Sequence, residues 1–316
     1  MDHQPLAMGR RRLARLRSSV AVMPRVHLRE LGVTPRTLQL YRKALNSFLL
    51  YLVANGISLP RRAEMIDETA AECLNDMFQN GDSLTNAGYL LSALKRFVPQ
   101  VSRSLFISRQ YYNNWRREVV PTRAVPFTWE LLHAMSAASL KTGRGDMALI
   151  LLLGFICFLR PAELLSLRVA DVRSFPSGHV IVRLDATKTS VRKQAAESVH
   201  TCDFVFARAV SSLLSGRDGS EPIFRGSASS FRTEFARLLS LFEVQNKGFS
   251  PYSLRRGGAT AFFNKCGSLD MTMLRGRWQD PKTTRIYLDD ARAALVSLCF
   301  SAFTLAMIVK VGCPWS

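Results

Sequence analysis

Residues 146–172, DMALILLLGFICFLRPAELLSLRVADV, constrain the fold more than any other stretch. From Met147 the run is apolar on every face, so as a helix it has no side to turn toward water. Only a bilayer or the centre of a sizeable domain accepts such a helix. Arg160, Pro161 and Glu163 interrupt it before it reaches the roughly 20 apolar residues that a bilayer crossing needs. It therefore reads as a helix buried on all sides, followed by a turn. A chain of 316 residues allows two domains, one of which must enclose this helix. Arg160, at the end of the run, needs a partner, because an unpaired buried charge is strongly destabilising. A pair with Glu163 is one answer, and an anionic ligand is another.

The rest of the chain supplies the surroundings. Thr34 can cap a helix with Pro35 at its first position, and Gly56 closes it. Leu38, Tyr41, Leu45, Phe48, Leu49 and Leu52 form its apolar stripe. A second helical segment runs near 68–79. A third, 83–98, carries Leu90, Leu91, Leu94 and Phe97 on one side. Residues 26–115 thus read as a small all-α unit. The domain break falls at about residue 120, where Pro121 and Pro126 flank basic residues, before Thr128 caps a new helix. Residues 179–206 change to strand character: HVIVRLD alternates, and ESVHTCDFVF follows a polar turn region. Residues 204–245 read as mostly helical with a Gly/Ser-rich break at 215–230. The expected class is mainly α with a small β-sheet, an α+β chain with residues 1–25 as a basic tail.

A net charge of +19, spread over both halves, points to nucleic acid as the partner. An anionic membrane surface fits less well, since the charge is not gathered on one amphipathic helix. The opening GRRRLARLRSS lacks the apolar core of a secretory signal. A nuclear localisation patch, a DNA-contacting arm, a transit peptide and a plain basic tail all fit it. The 6 cysteines contain no Cys-x-x-Cys pair, and the 5 histidines have no ligand spacing, so no metal or cofactor is expected. Free cysteines in apolar runs suit a reducing, intracellular compartment.

The chemistry concentrates in residues 250–290, SPYSLRRGGATAFFNKCGSLDMTMLRGRWQDPKTTRIYLDD. Here are tandem arginines (Arg255, Arg256), Trp278 between Arg277 and Gln279, and Tyr287. Arginine is permanently charged and presents a planar fork of donors, which suits a phosphate. Beside such clamps a tyrosine oxygen can attack phosphorus, because the charge that builds up is stabilised. Tyr252, Arg255, Trp278 and Tyr287 fall in the order and spacing of the tyrosine recombinase (phage integrase) family, which this stretch resembles. In that family the position of Tyr252 usually holds histidine. LRPAELLSLRVADV resembles the family's first arginine box, with Arg160 as the matching arginine and Glu163 as the acid that helps place it.

The resemblance, specific over 146–290, implies a catalytic domain over 121–316 that ends in an apolar C-terminal helix. It implies a helical core-binding domain, with its linker, over 26–120. It makes Arg160 and Arg255 the phosphate clamp and Tyr287 the nucleophile of a 3′-phosphotyrosyl intermediate. Lys188, on a hairpin, would protonate the leaving 5′ oxygen, with Lys193 as its rival. No metal or nucleotide takes part. Double-stranded DNA is the implied partner and a tetramer the implied assembly. RRGGAT resembles recombinases of eukaryotic mobile elements, which would place the protein in a nucleus. The alternative is a DNA-binding relic that no longer cuts. The apolar tail, 293–309, either docks on a neighbouring protomer, packs on its own domain, or reflects an altered chain end.

Overall fold

The computed structural model describes residues 32–119, 123–184 and 197–311. The chain divides into two compact units, 1–121 and 122–316.

In the first unit the described elements are helical. Helix α1 is Pro35–Ala54, with the Thr34 hydroxyl accepting the Thr37 N–H at 3.2 Å. Helix α2 is Ala63–Gln79, longer at its start than the expected 68–79. Helix α3 is Leu84–Phe97, capped by Ser83. Their apolar faces meet in a core of Phe48, Leu52, Leu74, Leu90 and Leu94. A further helix, α4 at Ile107–Glu118, occupies sequence that reads as the approach to a linker. Trp115 explains it, since the indole is buried in the unit's core. One buried carboxylate starts this helix. Asp67, on α2, accepts the N–H groups of Phe106, Ile107 and Ser108 at 2.8–2.9 Å and the Ser108 hydroxyl at 2.5 Å. It supplies, from another helix, acceptors for N–H groups that a helix start leaves unpaired.

The second unit is built around the apolar run. Helix α5, Trp129–Lys141, is capped by Thr128 as expected. Helix α6, Gly145–Ile156, is buried along almost its whole length. Pro161 opens the six-residue helix α7, Pro161–Ser166. Three antiparallel strands follow in the order β1 (Val172–Ser174), β2 (His179–Leu184) and β3 (Glu197–Cys202). Val180, Val182 and Leu184 of β2 face the core, while Ile181 and Arg183 face outward, the period-2 pattern of a half-buried strand. The strand expected to run on through DFVF stops at Cys202. The Asp203 carboxylate accepts the Phe206 N–H at 2.9 Å and starts helix α8, Phe204–Leu214, instead. This local capping bond outweighs the β preference of Phe and Val. Helix α9 is Ala228–Leu241.

Helix α10, Tyr252–Cys266, packs directly on α6. Its glycines allow the approach. A Cβ on Gly257 would lie 2.1 Å from the Phe127 carbonyl oxygen, and one on Gly258 would lie 1.8 Å from that of Phe155. Helices α11 (Leu269–Gly276) and α12 (Pro281–Tyr287) follow. The tail forms α13 (Asp290–Leu298) and α14 (Ala302–Val311). Of the readings for the tail, the structure shows packing on its own domain for α14. That helix lies against α5, and its buried Thr304 hydroxyl donates to the Phe242 carbonyl at 2.8 Å. No helix among the described residues is long and apolar enough to cross a membrane.

Candidate active site

Four segments of the second unit converge: the turn after α6, the start of α7, the first turns of α10, and the stretch from Gly276 to the end of α12. Close packing of α10 on α6 puts Arg255 under the turn that follows α6. Arg255 is 0% exposed. Its Nη1 donates to the Phe158 carbonyl and its Nη2 to the Gly276 carbonyl, the latter at 2.7 Å. Its Nε is buried with no partner among the described residues. The resemblance makes Arg255 part of a phosphate clamp. In the structure main-chain carbonyls hold its fork from both sides, and Nε is the buried donor left over. Burial, then the nearby Arg160 and Arg277 charges, lower its pKa to about 10.

Phe158 and Arg277 have φ of 51° and 55°, the left-handed region that side chains usually avoid. One presents a carbonyl to Arg255, and the other directly follows Gly276, which presents the second. Such strain persists where the surroundings over-determine the backbone.

Trp278 stacks between Phe158 and Tyr287, with ring centres 6.3 and 4.6 Å away. The Arg255 guanidinium lies 4.6 Å from the centre of the Trp278 ring and 5.4 Å from that of Tyr287. Gly276 makes room for the indole, since a Cβ there would sit 2.1 Å from Trp278. The indole N–H is buried and has no partner among the described residues. Tyr287, the last residue of α12, is half-buried, and its hydroxyl lies 2.6 Å from that of Tyr252. Tyr252 opens α10. Burial, then the hydrogen bond to Tyr287, push its phenol up to about 12.

Arg256, adjacent to Arg255, turns to another side of α10. It donates to the carbonyls of Ala124 and Ile286 and pairs with Asp289 at 3.2 Å. The Thr260 hydroxyl donates to the Tyr287 carbonyl at 3.2 Å. These bonds anchor the end of α12, so Tyr287 sits on a held segment.

Arg160 is half-buried, not enclosed at the end of the apolar helix as expected, because α6 ends at Ile156. It precedes α7 and pairs with Glu163 in two ways. Its backbone N–H donates to Glu163 Oε2 at 2.9 Å and its Nη1 to Oε1 at 2.6 Å. Both alternatives open for Arg160 remain compatible, since Glu163 occupies only part of its fork. Burial opposes the Arg160 charge, but the Glu163 carboxylate more than compensates and raises its pKa. Glu163 is 7% exposed. Burial disfavours its charge too, yet Arg277 and then the Arg160 N–H hold its pKa below the usual carboxylate range.

Six of the expected site residues, Arg160, Glu163, Tyr252, Arg255, Trp278 and Tyr287, therefore meet. Lys188 and its rival Lys193 lie outside the described residues. Arg277, which sequence reasoning passed over, also belongs here: its Nη2 donates to Glu163 Oε2 at 2.8 Å. The sequence signal was an arginine directly before the site tryptophan, in a segment already rich in arginine. Among the described residues no group of three His, Cys, Asp or Glu could hold a metal ion.

Buried Arg255, half-buried Arg160, buried Trp278 and half-buried Tyr287 thus share one site. A sequence profile of the phage integrase family matches residues 129–293, more than half of the chain. The chain belongs to the phage integrase family. No curated protein matches it in sequence. Among solved structures it is similar to the Tn1549 transposon integrase in complex with transposon right end DNA. The identity there is 15%, the TM-score 0.59, and 84% of this chain and 95% of that one are covered. It is also similar to XerH site-specific recombinase in a post-cleavage complex, at 15% identity and TM-score 0.57, covering 83% and 79%. A lambda integrase tetramer bound to a Holliday junction matches at 14% identity and TM-score 0.54, covering 92% and 82%. At these identities the likeness establishes the fold.

Proposed function

We propose that this protein cleaves and rejoins DNA strands in site-specific recombination or integration, with Tyr287 as nucleophile. One observation carries the reading. The Arg255 Nε and the Trp278 indole N–H are buried without partners among the described residues, directly around the Tyr287 ring. Native interiors rarely leave such donors unsatisfied, and a cluster of them implies a ligand rich in acceptors. A phosphodiester is that ligand, and Arg160 adds a second guanidinium at a solvent-accessible place.

In the proposed step the Tyr287 oxygen bonds to phosphorus as the bond to the 5′ oxygen breaks. The phenolic proton passes to solvent and a proton from Lys188 reaches the 5′ oxygen, so the exchange balances and the phosphotyrosyl bond keeps the strand's bond energy. Arg160 and Arg255 stabilise the charge on phosphorus, and Lys188 is the proposed proton donor. Tyr252 orients the nucleophile through its hydroxyl. Its phenol, held at about 12, cannot take the proton-carrying part of a histidine near neutral pH.

The partner in this reading is double-stranded DNA, supported by the +19 charge and by DNA in the similar structures. The first unit serves as a second grip on DNA, supported by exposed Arg109, Arg116 and Arg117 on and beside the outer face of α4. The tetramer reading rests on the lambda integrase assembly.

The test is covalent trapping. The protein is incubated with nicked suicide duplexes from a fragmented genomic pool, denatured, and resolved on a gel beside Tyr287→Phe. A DNA-linked band present in the wild type and absent in the variant is the expected result. DNA binding with no linked band in either protein overturns cleavage and identifies a DNA-binding protein that has ceased to cut.

A further inference from the structure

Arg277 is expensive for the fold. Its backbone is left-handed, with φ of 55°. Its side chain is 9% exposed, and its Nε and Nη1 are buried with no hydrogen-bond partner among the described residues. The nearest further carboxylate, Glu197, stands 3.9 Å from Nη1. Glycine at this position would adopt the backbone without strain and bury no charge. The arginine therefore answers to something other than stability.

Its one close bond shows what. Glu163 Oε2 accepts from Arg277 Nη2 and from the Arg160 backbone, and Oε1 accepts from Arg160 Nη1. With the Arg160 N–H and Arg277 Nη2 both on Oε2, that oxygen's two lone pairs are taken and a second prong from Arg160 cannot close on it. Arg160 gives Glu163 only Nη1 of its side chain, so Nε and Nη2 stay available to a ligand. Two cations to one carboxylate also leave this corner with a net positive charge. The chain Arg277–Glu163–Arg160 further ties the backbone that carries Trp278, and that receives Arg255 at Gly276, to the start of α7.

We propose that Arg277 is a positioning residue which, by holding Glu163 away from a two-pronged pair with Arg160, keeps Arg160 open to the scissile phosphate. The proposal rests on the strand-cleavage reading above.

The test is Arg277→Gly, a substitution the backbone favours, with Arg277→Gln and Arg277→Lys beside it. Single-turnover formation of the covalent adduct should fall about 10²-fold in Arg277→Gly, the order expected when a reacting group is misplaced by about 1 Å. Thermal stability should change little, because relief of the left-handed backbone and of the buried Arg277 charge offsets the cation that Glu163 loses, and DNA affinity should change little. Arg277→Lys should recover part of the rate, and added methylguanidine should restore part of the rate in Arg277→Gly. The acid limb of the rate profile should move to higher pH, because Glu163 loses the cation that most opposes its burial. Unchanged adduct formation in Arg277→Gly, or in Arg277→Gln should the glycine variant not fold, overturns the proposal and leaves the cleavage reading intact. If the wild type forms no adduct, the cleavage reading fails by itself, and orthovanadate as a phosphate mimic decides the question for Arg277. Vanadate that raises the melting temperature of the wild type but not of Arg277→Gly upholds the open Arg160. An equal shift, or none in either protein, overturns it.

Discussion

The two units each bury charge, and they treat it in opposite ways. In the first, Asp67 is 3% exposed and both its oxygens are taken by four donors from the start of α4. In the second, Arg255 is 0% exposed, its fork is held by two carbonyls, and its Nε has no partner among the described residues. Both charges are costly to desolvate. Asp67 is satisfied entirely within the protein, so its value is structural. Arg255 is placed by the protein and left incomplete, beside a tryptophan N–H that is incomplete as well. A buried charge whose hydrogen bonds close internally is accounted for by the fold, and one whose bonds stay open calls for a further explanation.

The sharpest way to break this contrast is to exchange the consequences. Asp67→Ala removes the acceptor for three backbone N–H groups and a hydroxyl, and should destabilise the first unit by about 3 kcal/mol. Chemical denaturation measures the loss, and adduct formation by the protein that remains folded should persist. A cost under about 1 kcal/mol would show that water replaces Asp67 at the start of α4.

Arg255→Lys should have the converse profile. Lysine keeps the charge but loses the fork that spans the two carbonyls and the unpaired Nε. Adduct formation should fall about 10²-fold, on the scale of losing one donor to a developing oxyanion. The melting temperature should move less than in Asp67→Ala. A larger stability loss than that of Asp67→Ala, with cleavage kept, would make Arg255 structural and end the contrast.

The smallest effect concerns Tyr252. Tyr252→Phe removes one hydrogen bond, so a stability loss near 1 kcal/mol at pH 7 is expected. The wild type should also show an alkaline limb. Tyr252 titrates near 10 when unfolded and at about 12 when folded, so the unfolded chain loses its proton first as pH rises. The stability tied to this phenol is thus fully present below pH 10 and is lost as pH rises toward 12. Melting curves at pH 9 to 11.5 should fall more steeply for the wild type than for Tyr252→Phe, and parallel curves would sink the assignment.

Most of the candidate site was legible in the chain because its residues lie in two local clusters, one after the apolar run and one between Tyr252 and Tyr287. Helix starts at Thr34, Ser83 and Thr128 were legible for the same reason, since a cap acts within three residues. Helix α4 was obscured because the carboxylate that starts it is about forty residues away, as the bonds from Asp67 to 106–108 show. The strand expected through DFVF failed because hydrophobic pattern alone does not separate a short strand from the first turn of a buried helix.

The sequence by itself determined that Met147–Leu159 must be enclosed and that arginines, a tryptophan and a tyrosine share one segment. Those are consequences of side-chain chemistry and short-range geometry. Only the tertiary structure decided which donors each arginine keeps: Arg256 turned to Asp289, Arg255 held by Phe158 and Gly276, and Arg277 sharing Glu163 with Arg160. A guanidinium's partners depend on where carbonyls and carboxylates from distant segments fall, to within the reach of a hydrogen bond. That placement is set by the packing of α10 on α6.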